Sequence, residues 1–347
     1  MIYRVDRDPI DQSPTAPGQG ASRCGKSMNQ LEQLRQYSSV VIDTGDIDSI
    51  AQWRPEDATT NPSLVLKALQ GSRYDELIGD LGRELDMRHR HHERARMDEA
   101  LDRLSVSLGC AILTHIPGRV STEIDARLSF DTAASVQRAR RLIRFYQEAG
   151  VGRERVLIKI AATWEGLQAA RLLEQEGIAC NLTLLFHQAQ AQAAAEAGVT
   201  LISPFVGRIL DWHRARSPDT EYHVDQDPGV LSVRSIYEMY KAQGYTTLIM
   251  AASFRHLDEI RALAGCDKLT IAPAWLAQLS QDSSPLARAL PAEIPAQERP
   301  PALCETRFRW LMNEDAMAEE KLAEGIRLFA HDTRQLEETL IRRWTAA

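Results

Sequence analysis

The 347-residue chain is 44% hydrophobic and 26% charged, the make-up of an ordinary globular protein. A formal charge of −7, with no basic stripe interleaved with aromatics, leaves no electrostatic footprint for nucleic acid. Apolar runs are too short to span a bilayer, so no membrane partner is expected and a cytoplasmic location is.

Residues 1–27 carry Asp6, Pro9, Asp11, Pro14 and Pro17 and no apolar core. They read as a disordered extension, too acidic for a transit peptide and unlike a signal peptide. GASRCGKS, at 20–27, resembles a phosphate loop only superficially, because no strand precedes it. MNQLEQLRQYSS opens an amphipathic pattern at Met28, which suits a true start there. The expected division is an extension over 1–27 and a single domain over 28–347.

Eight strand-like segments follow: SSVVIDTG (38–45), DATTNP (57–62), GRVSTEID (118–125), RVLIKIA (155–161), ACNLTLLF (179–186), TLISPFVG (200–207), TTLIMAAS (246–253) and KLTIAP (268–273). Helical patterns separate them. In 132–150, Val136, Ala139, Leu142, Ile143 and Tyr146 recur at three-to-four spacing, with Thr132 as a cap and Gly150 as the stop. Residues 163–177 follow the same plan. Apolar strands alternating with helices indicate a parallel sheet covered on both faces. Eight such units predict a closed (β/α)8 TIM barrel, with a doubly wound open sheet as the rival.

The connection from Ser63 to Pro117 is long and mostly helical. Its HRHHERAR run (His89, His91, His92) reads as a solvated charged face, since arginines repel cations and no carboxylate stands at ligand spacing. Residues 282–301, rich in Pro, Ser and Ala, read as a surface excursion. A strong helical pattern from Asn313 to Trp344 predicts a C-terminal helix covering the barrel. The five cysteines lack metal or redox spacing and read as isolated buried thiols of a reducing compartment.

Strand residues alternate between barrel interior and surrounding helices. In the fourth strand Val156, Ile158 and Ile160 belong against the helices, which sends Lys159 inward. The same alternation turns Asn181 and Thr183, Ser203 and Phe205, and Ser121, Glu123 and Asp125 inward, with Leu182, Leu184, Ile202 and Val206 outward. Asp43 closes the first strand, Asn61 follows the second, and Ser253 and Arg255 follow the seventh. Any one inward Lys or Glu is as readily a structural ion pair. Polar groups converging from six strands on one end of a barrel point to an active site.

A buried lysine is disfavoured as the ammonium and gains a free amine that attacks carbonyls, giving a Schiff base. Imine formation needs a proton carrier, for which Glu123 is available with Thr183 or a water as relay. Carbon–carbon cleavage needs a base on the substrate hydroxyl, and Asp43 is the second carboxylate. Arg208 and Arg255 match phosphate geometry, though each would equally pair with a surface carboxylate. Asn61, Asn181 and Ser203 suit hydroxyl-bearing substrates but would equally cap loops. No zinc motif, Walker loop or dinucleotide fingerprint is present, so no cofactor or metal is expected.

At these residues the chain closely resembles the transaldolases of the pentose phosphate pathway. VVIDTGD, DATTNPSL, GRVSTEIDARLS, VLIKIAATWEG, CNLTLLF, LISPFVGRILDW, ASFR and LTIAP match that family's successive signatures from about Met28 onward. The resemblance implies a homodimeric, metal-free (β/α)8 enzyme that moves a dihydroxyacetone unit from sedoheptulose 7-phosphate to glyceraldehyde 3-phosphate. Erythrose 4-phosphate and fructose 6-phosphate are then the products. By motif it makes Lys159 the Schiff-base lysine, Asp43 the base on the donor hydroxyl, and Glu123 with Thr183 the water-mediated proton-transfer pair. Asn61, Asn181 and Ser203 become hydroxyl contacts, and Arg208, Ser253 and Arg255 the phosphate site.

His187-Gln188 stand where the family pattern is Ser-Phe, at the start of a helix, and the 1–27 extension is not part of that pattern. Phe205 stands where fructose 6-phosphate aldolase relatives carry a tyrosine able to protonate and free the intermediate, which favours transfer over aldolase activity. A non-catalytic sugar-phosphate sensor is the reading from another class. Retention of Lys159 and both carboxylates argues against it.

Overall fold

The computed structural model describes residues 28–69, 74–88 and 93–346. The 1–27 extension, with Cys24, and the histidines of the HRHHERAR run lie outside them. Eight parallel strands close a barrel in chain order, each beside the next and the last beside the first. They are β1 (Ser39–Asp43), β2 (Asp57–Thr59), β3 (Val120–Glu123), β4 (Val156–Ala161), β5 (Cys180–Leu185), β6 (Leu201–Pro204), β7 (Leu248–Ala251) and β8 (Lys268–Ile271). All eight fall inside the segments read from the sequence, and closure excludes the open sheet.

Period-two alternation accounts for the barrel's two cores. Val156, Ile158 and Ile160 pack outward with the helices. Inside, Val41, Leu157, Leu201 and Met250 form a separate apolar cluster. Each sits two residues upstream of an inward position nearer the strand end: Asp43, Lys159, Ser203 and Ala252. The lower barrel is therefore a packed hydrocarbon floor, and the polar residues begin one layer above it.

Helices Pro62–Ala68, Asp75–Arg88 and Glu93–Leu113 fill the long connection after β2. The helix after β3 runs Thr132–Glu148, and Gly150 beyond it takes the left-handed φ of 81°. Its cap is Asp131, whose Oδ1 accepts from the Ala134 amide at 2.9 Å. Thr132, expected in that role, is one residue too late and donates instead to the Glu165 carbonyl at 3.0 Å. Residues 283–303 contain no helix or strand, as expected of a surface excursion.

The C-terminal pattern forms two helices, Glu305–Glu314 and Ala316–Ala346. Asp315, in an extended conformation, breaks them and caps the second through the Ala318 amide at 3.1 Å. The second helix packs against β5 and against the helices that follow β2 and β6, so it covers the barrel mouth. Of the described thiols, Cys180 and Cys266 are buried and Cys110 partly so, but Cys304 is exposed, against expectation.

Helix Val206–Arg216 starts directly at the end of β6, and helix Pro228–Ala242 packs against it at Gly229. A Cβ on Gly229 would lie 2.1 Å from the Val206 carbonyl oxygen and 2.7 Å from its carbon, both backbone. Gly229→Ala gains at most about 1 kcal/mol of helix propensity. The clash has no flexible side chain to absorb it and costs about 1–3 kcal/mol or more. Net destabilisation in urea titration is expected; an unchanged midpoint would show that the two helices slide apart freely.

Candidate active site

Strand register builds the polar layer. Glu123 pairs with Lys159 across β3 and β4, and Lys159 with Asn181 across β4 and β5. Three neighbouring inward positions thus carry a carboxylate, an amine and a carboxamide. Lys159 Nζ lies 3.1 Å from Glu123 Oε2, a buried ion pair. It also donates to the Thr60 carbonyl at 3.4 Å.

Lys159 opens onto a cavity of about 70 Å³. Asp43, Asn61, Ser203, Phe205, Arg208 and Ser253 share its wall. On the other side, Glu123 and Asn61 line a second cavity of about 40 Å³. Asn181 sits behind this front, fully buried, donating to Ser121 Oγ at 3.1 Å and accepting from Ser203 Oγ at 2.7 Å. It fixes the Ser203 hydroxyl and does not line the cavity. Asn61 both lines the cavity and caps its helix through the Leu64 amide at 2.9 Å.

Thr183 Oγ1 is buried without a hydrogen-bond partner among the described residues, and Glu123 Oε2 has only Lys159 Nζ beside it. Such atoms are costly in a dry interior unless a water or a ligand group meets them.

Electrostatics separate the two carboxylates from ordinary acids. Burial pushes the Asp43 carboxyl above its usual range, and Lys159, a hydrogen bond from Thr59 and Arg208 pull it back only in part. Glu123 is raised for the same first reason; Lys159 and Arg208 oppose the shift and Asp43 adds to it. Thr59 Oγ1 stands 3.2 Å from Asp43 Oδ1.

The two arginines expected together are electrostatic neighbours but are engaged differently. Arg208 lines the cavity, its guanidinium 4.8 Å from the Phe205 ring centre and 5.6 Å from that of Phe329. Arg255 donates to Asp211 from Nη2 at 2.6 Å and Nε at 3.0 Å, and from Nη1 to the Ser253 hydroxyl and carbonyl, each at 3.2 Å. Asp125, expected on the inner face, lies past the end of β3, where alternation no longer applies. It caps the short 3-10 turn Ala126–Leu128 and accepts from Arg127 Nε at 2.9 Å.

Leu184, expected outward, sits at an irregularity in the β5–β6 register with φ 55°. That bulge turns it to the covering helix, where Gly325 leaves room for it. Ser253, at φ 67°, is the other strained residue at the mouth. Non-glycine residues in this region cost about 1–3 kcal/mol and cluster at functional sites.

Thr59, Thr270 and Phe329 belong to the cavity wall and were not foreseen. Thr59 shares the inner face with Asn61 two residues on, and Thr270 the same face of KLTIAP, so alternation would have found both. His187 caps helix Gln188–Glu196: its Nδ1 accepts from the Ala189 amide at 3.0 Å, and Gln190 Oε1 accepts from its own amide at 3.0 Å. The His187-Gln188 departure is thus a helix start, outside the Lys159 cavity.

A family model described as transaldolase/fructose-6-phosphate aldolase matches residues 40–340. The chain belongs to the transaldolase/fructose-6-phosphate aldolase family. Transaldolase 1 of Pectobacterium atrosepticum is 55% identical over 313 residues, 90% of this chain and 99% of the relative. Transaldolase A of Escherichia coli K12 is 53% identical over the same extent, and a transaldolase of Alteromonas mediterranea 54% identical over 318 residues. The family match spans all eight strands, from the second residue of β1 to the covering helix. Among the described residues no helix is long and apolar enough to cross a membrane.

Proposed function

We propose that the chain is a transaldolase that carries a dihydroxyacetone unit between sugar phosphates on Lys159. The observation that carries the reading is a buried amine opening onto one cavity with Asp43, with Glu123 against it. The Nζ lone pair adds to the C2 carbonyl of a ketose phosphate, giving a carbinolamine. Glu123, whose raised carboxyl readily holds a proton, protonates the departing hydroxyl, and water leaves to give the protonated imine. Thr183, on β5 beyond the lysine's strand, would support the transfer through a water that meets its unpartnered hydroxyl.

Asp43 then takes the proton of the C4 hydroxyl. The C3–C4 pair flows into the iminium, the aldose phosphate leaves, and a three-carbon enamine remains on the lysine. Reversal with a second aldose makes the new bond, and hydrolysis frees the ketose product. Asn61 and Ser203 orient hydroxyls. Arg208, with Ser253 beside it, receives the phosphate; Arg255 supports Ser253 from behind while Asp211 holds it. No cofactor is needed, because the iminium is the electron sink. A single functional domain over 28–347, a homodimer and a cytoplasmic location rest on the family resemblance.

The deciding assay measures fructose 6-phosphate turnover with and without an aldose acceptor. A transaldolase turns over only with the acceptor; equal rates, with free dihydroxyacetone released, would make the chain an aldolase. Phe205 lines the cavity, packed edge-on against Phe186 at 5.7 Å, and has no proton to give. Phe205→Tyr is expected to raise acceptor-free dihydroxyacetone release at least about tenfold, the low end of a positioned proton donor's effect. No rise would mean that something other than this hydroxyl holds the intermediate for transfer.

A further inference from the structure

A second group of chemistry-bearing side chains lies outside the lysine cavity, where the loop after β7 meets the start of helix Pro228–Ala242. Asp227, His256 and Glu259 each point one ligand atom at a common centre, all within 4.8 Å of one another. Both carboxylates are fully buried. Asp227 uses Oδ1 to accept from the Gly229 amide at 2.8 Å and the Val230 amide at 3.2 Å, which leaves Oδ2 without a hydrogen bond. Glu259 accepts from the Arg255 amide through Oε2, and its Oε1 has no hydrogen bond either. His256 Nε2 stands 3.6 Å from each of these two free oxygens and is 31% exposed at the side chain, giving the centre a route to solvent.

We propose that Asp227, His256 and Glu259 form a binding site for a divalent transition cation, with zinc as its best occupant. Two buried carboxylates facing each other carry a charge that a dry interior tolerates only with a positive partner. Arg255, the neighbouring guanidinium, is engaged by Asp211 and does not neutralise them.

Bond lengths fit a cation better than direct hydrogen bonds. Nitrogen and oxygen ligands about 2.1 Å from a tetrahedral zinc are ~3.4 Å apart, close to the observed 3.6 Å and too wide for N–H···O contacts. The backbone amides that hold the other oxygen of each carboxylate play the orienting part that outer partners play in metal centres. An imidazole in the set selects zinc, cobalt or nickel over magnesium and calcium. Three protein ligands leave a fourth position for water, on the exposed side of His256. The ion would tie the loop carrying Ser253 and Arg255 to the helix whose Gly229 abuts Val206.

The full chain, stripped with chelator and dialysed, would be titrated with Zn²⁺ by calorimetry and by competition with a chromophoric chelator. One equivalent is expected to bind and to raise the thermal midpoint. That equivalent should vanish in His256→Ala, which alters a half-exposed side chain outside the cavity, and weaken at least tenfold in Glu259→Gln. Cobalt should compete for it, and magnesium or calcium should not. No uptake by the unaltered chain, undiminished uptake by His256→Ala, or a preference for magnesium or calcium would overturn the proposal, leaving a proton or the imidazolium to neutralise the pair. None of these readouts requires sugar-phosphate turnover, so they stand apart from the function proposed for Lys159.

Discussion

Lys159→Met is expected to abolish turnover, by about 10⁴-fold or more, while the barrel remains folded. Methionine keeps the unbranched length of the side chain over the floor of Val41, Leu157, Leu201 and Met250, and removes the nucleophile. Breaking a buried ion pair by removing one member ordinarily costs about 3–5 kcal/mol, because the other charge is stranded. Here the stranded group is Glu123, which burial already pushes toward its neutral form, so proton uptake limits the loss.

The same experiment reads the chemistry directly. Borohydride added to unaltered protein with fructose 6-phosphate should reduce an imine and leave a stable adduct, mapped to Lys159 by peptide mass spectrometry. The other described lysines offer weak competition: Lys241, Lys268 and Lys321 are bound to Asp267, Asp57 and Glu324 at 2.7, 2.6 and 2.7 Å, Lys67 is exposed on helix Pro62–Ala68, and none of the four lines the cavity. An adduct on one of these, with Lys159 unmodified, would end the Schiff-base account. So would full activity in Lys159→Met.

Much of this arrangement is legible before any coordinates, because a barrel strand has one simple rule. Two-residue periodicity sends Lys159, Asn181, Thr183 and Ser203 inward, and parallel pairing brings neighbouring strand ends level. The rule fails where the strand stops or slips. Asp125 lies beyond the last residue of β3 and follows its own turn to Arg127. Leu184 sits at a bulge, which changes the face a side chain takes. Pairs between distant segments leave no local trace either: Asp211 captures Arg255 across 44 positions, and Phe329 reaches the cavity from a helix whose pattern marks only an apolar stripe. Asp227, His256 and Glu259 stayed hidden for the same reason, since 29 positions separate Asp227 from the His256–Glu259 pair.

The second large effect is expected at Asp43, and it should fall on a different step. Asp43→Asn preserves shape, and the carboxamide oxygen can still accept from Thr59, but no base remains for the C4 hydroxyl. Cleavage should slow by about 10²–10⁴-fold, the usual worth of a positioned base. Imine formation, which Glu123 serves, should continue. Borohydride would then trap the whole hexose phosphate on Lys159, where the unaltered enzyme also yields the three-carbon fragment.

The pH dependence carries the sign. Asp43 works ionised, and burial raises its pKa above the ordinary ~3.9, so activity should fail on acidification at a higher pH than a solvated aspartate would dictate. The Asp43 charge also raises Glu123, so the limb belongs to the pair. In Asp43→Asn the residual rate should lose that steep acid limb. If the variant traps only the three-carbon adduct, or keeps the parent's acid limb, cleavage is driven by another base and Asp43 merely balances charge beside the lysine.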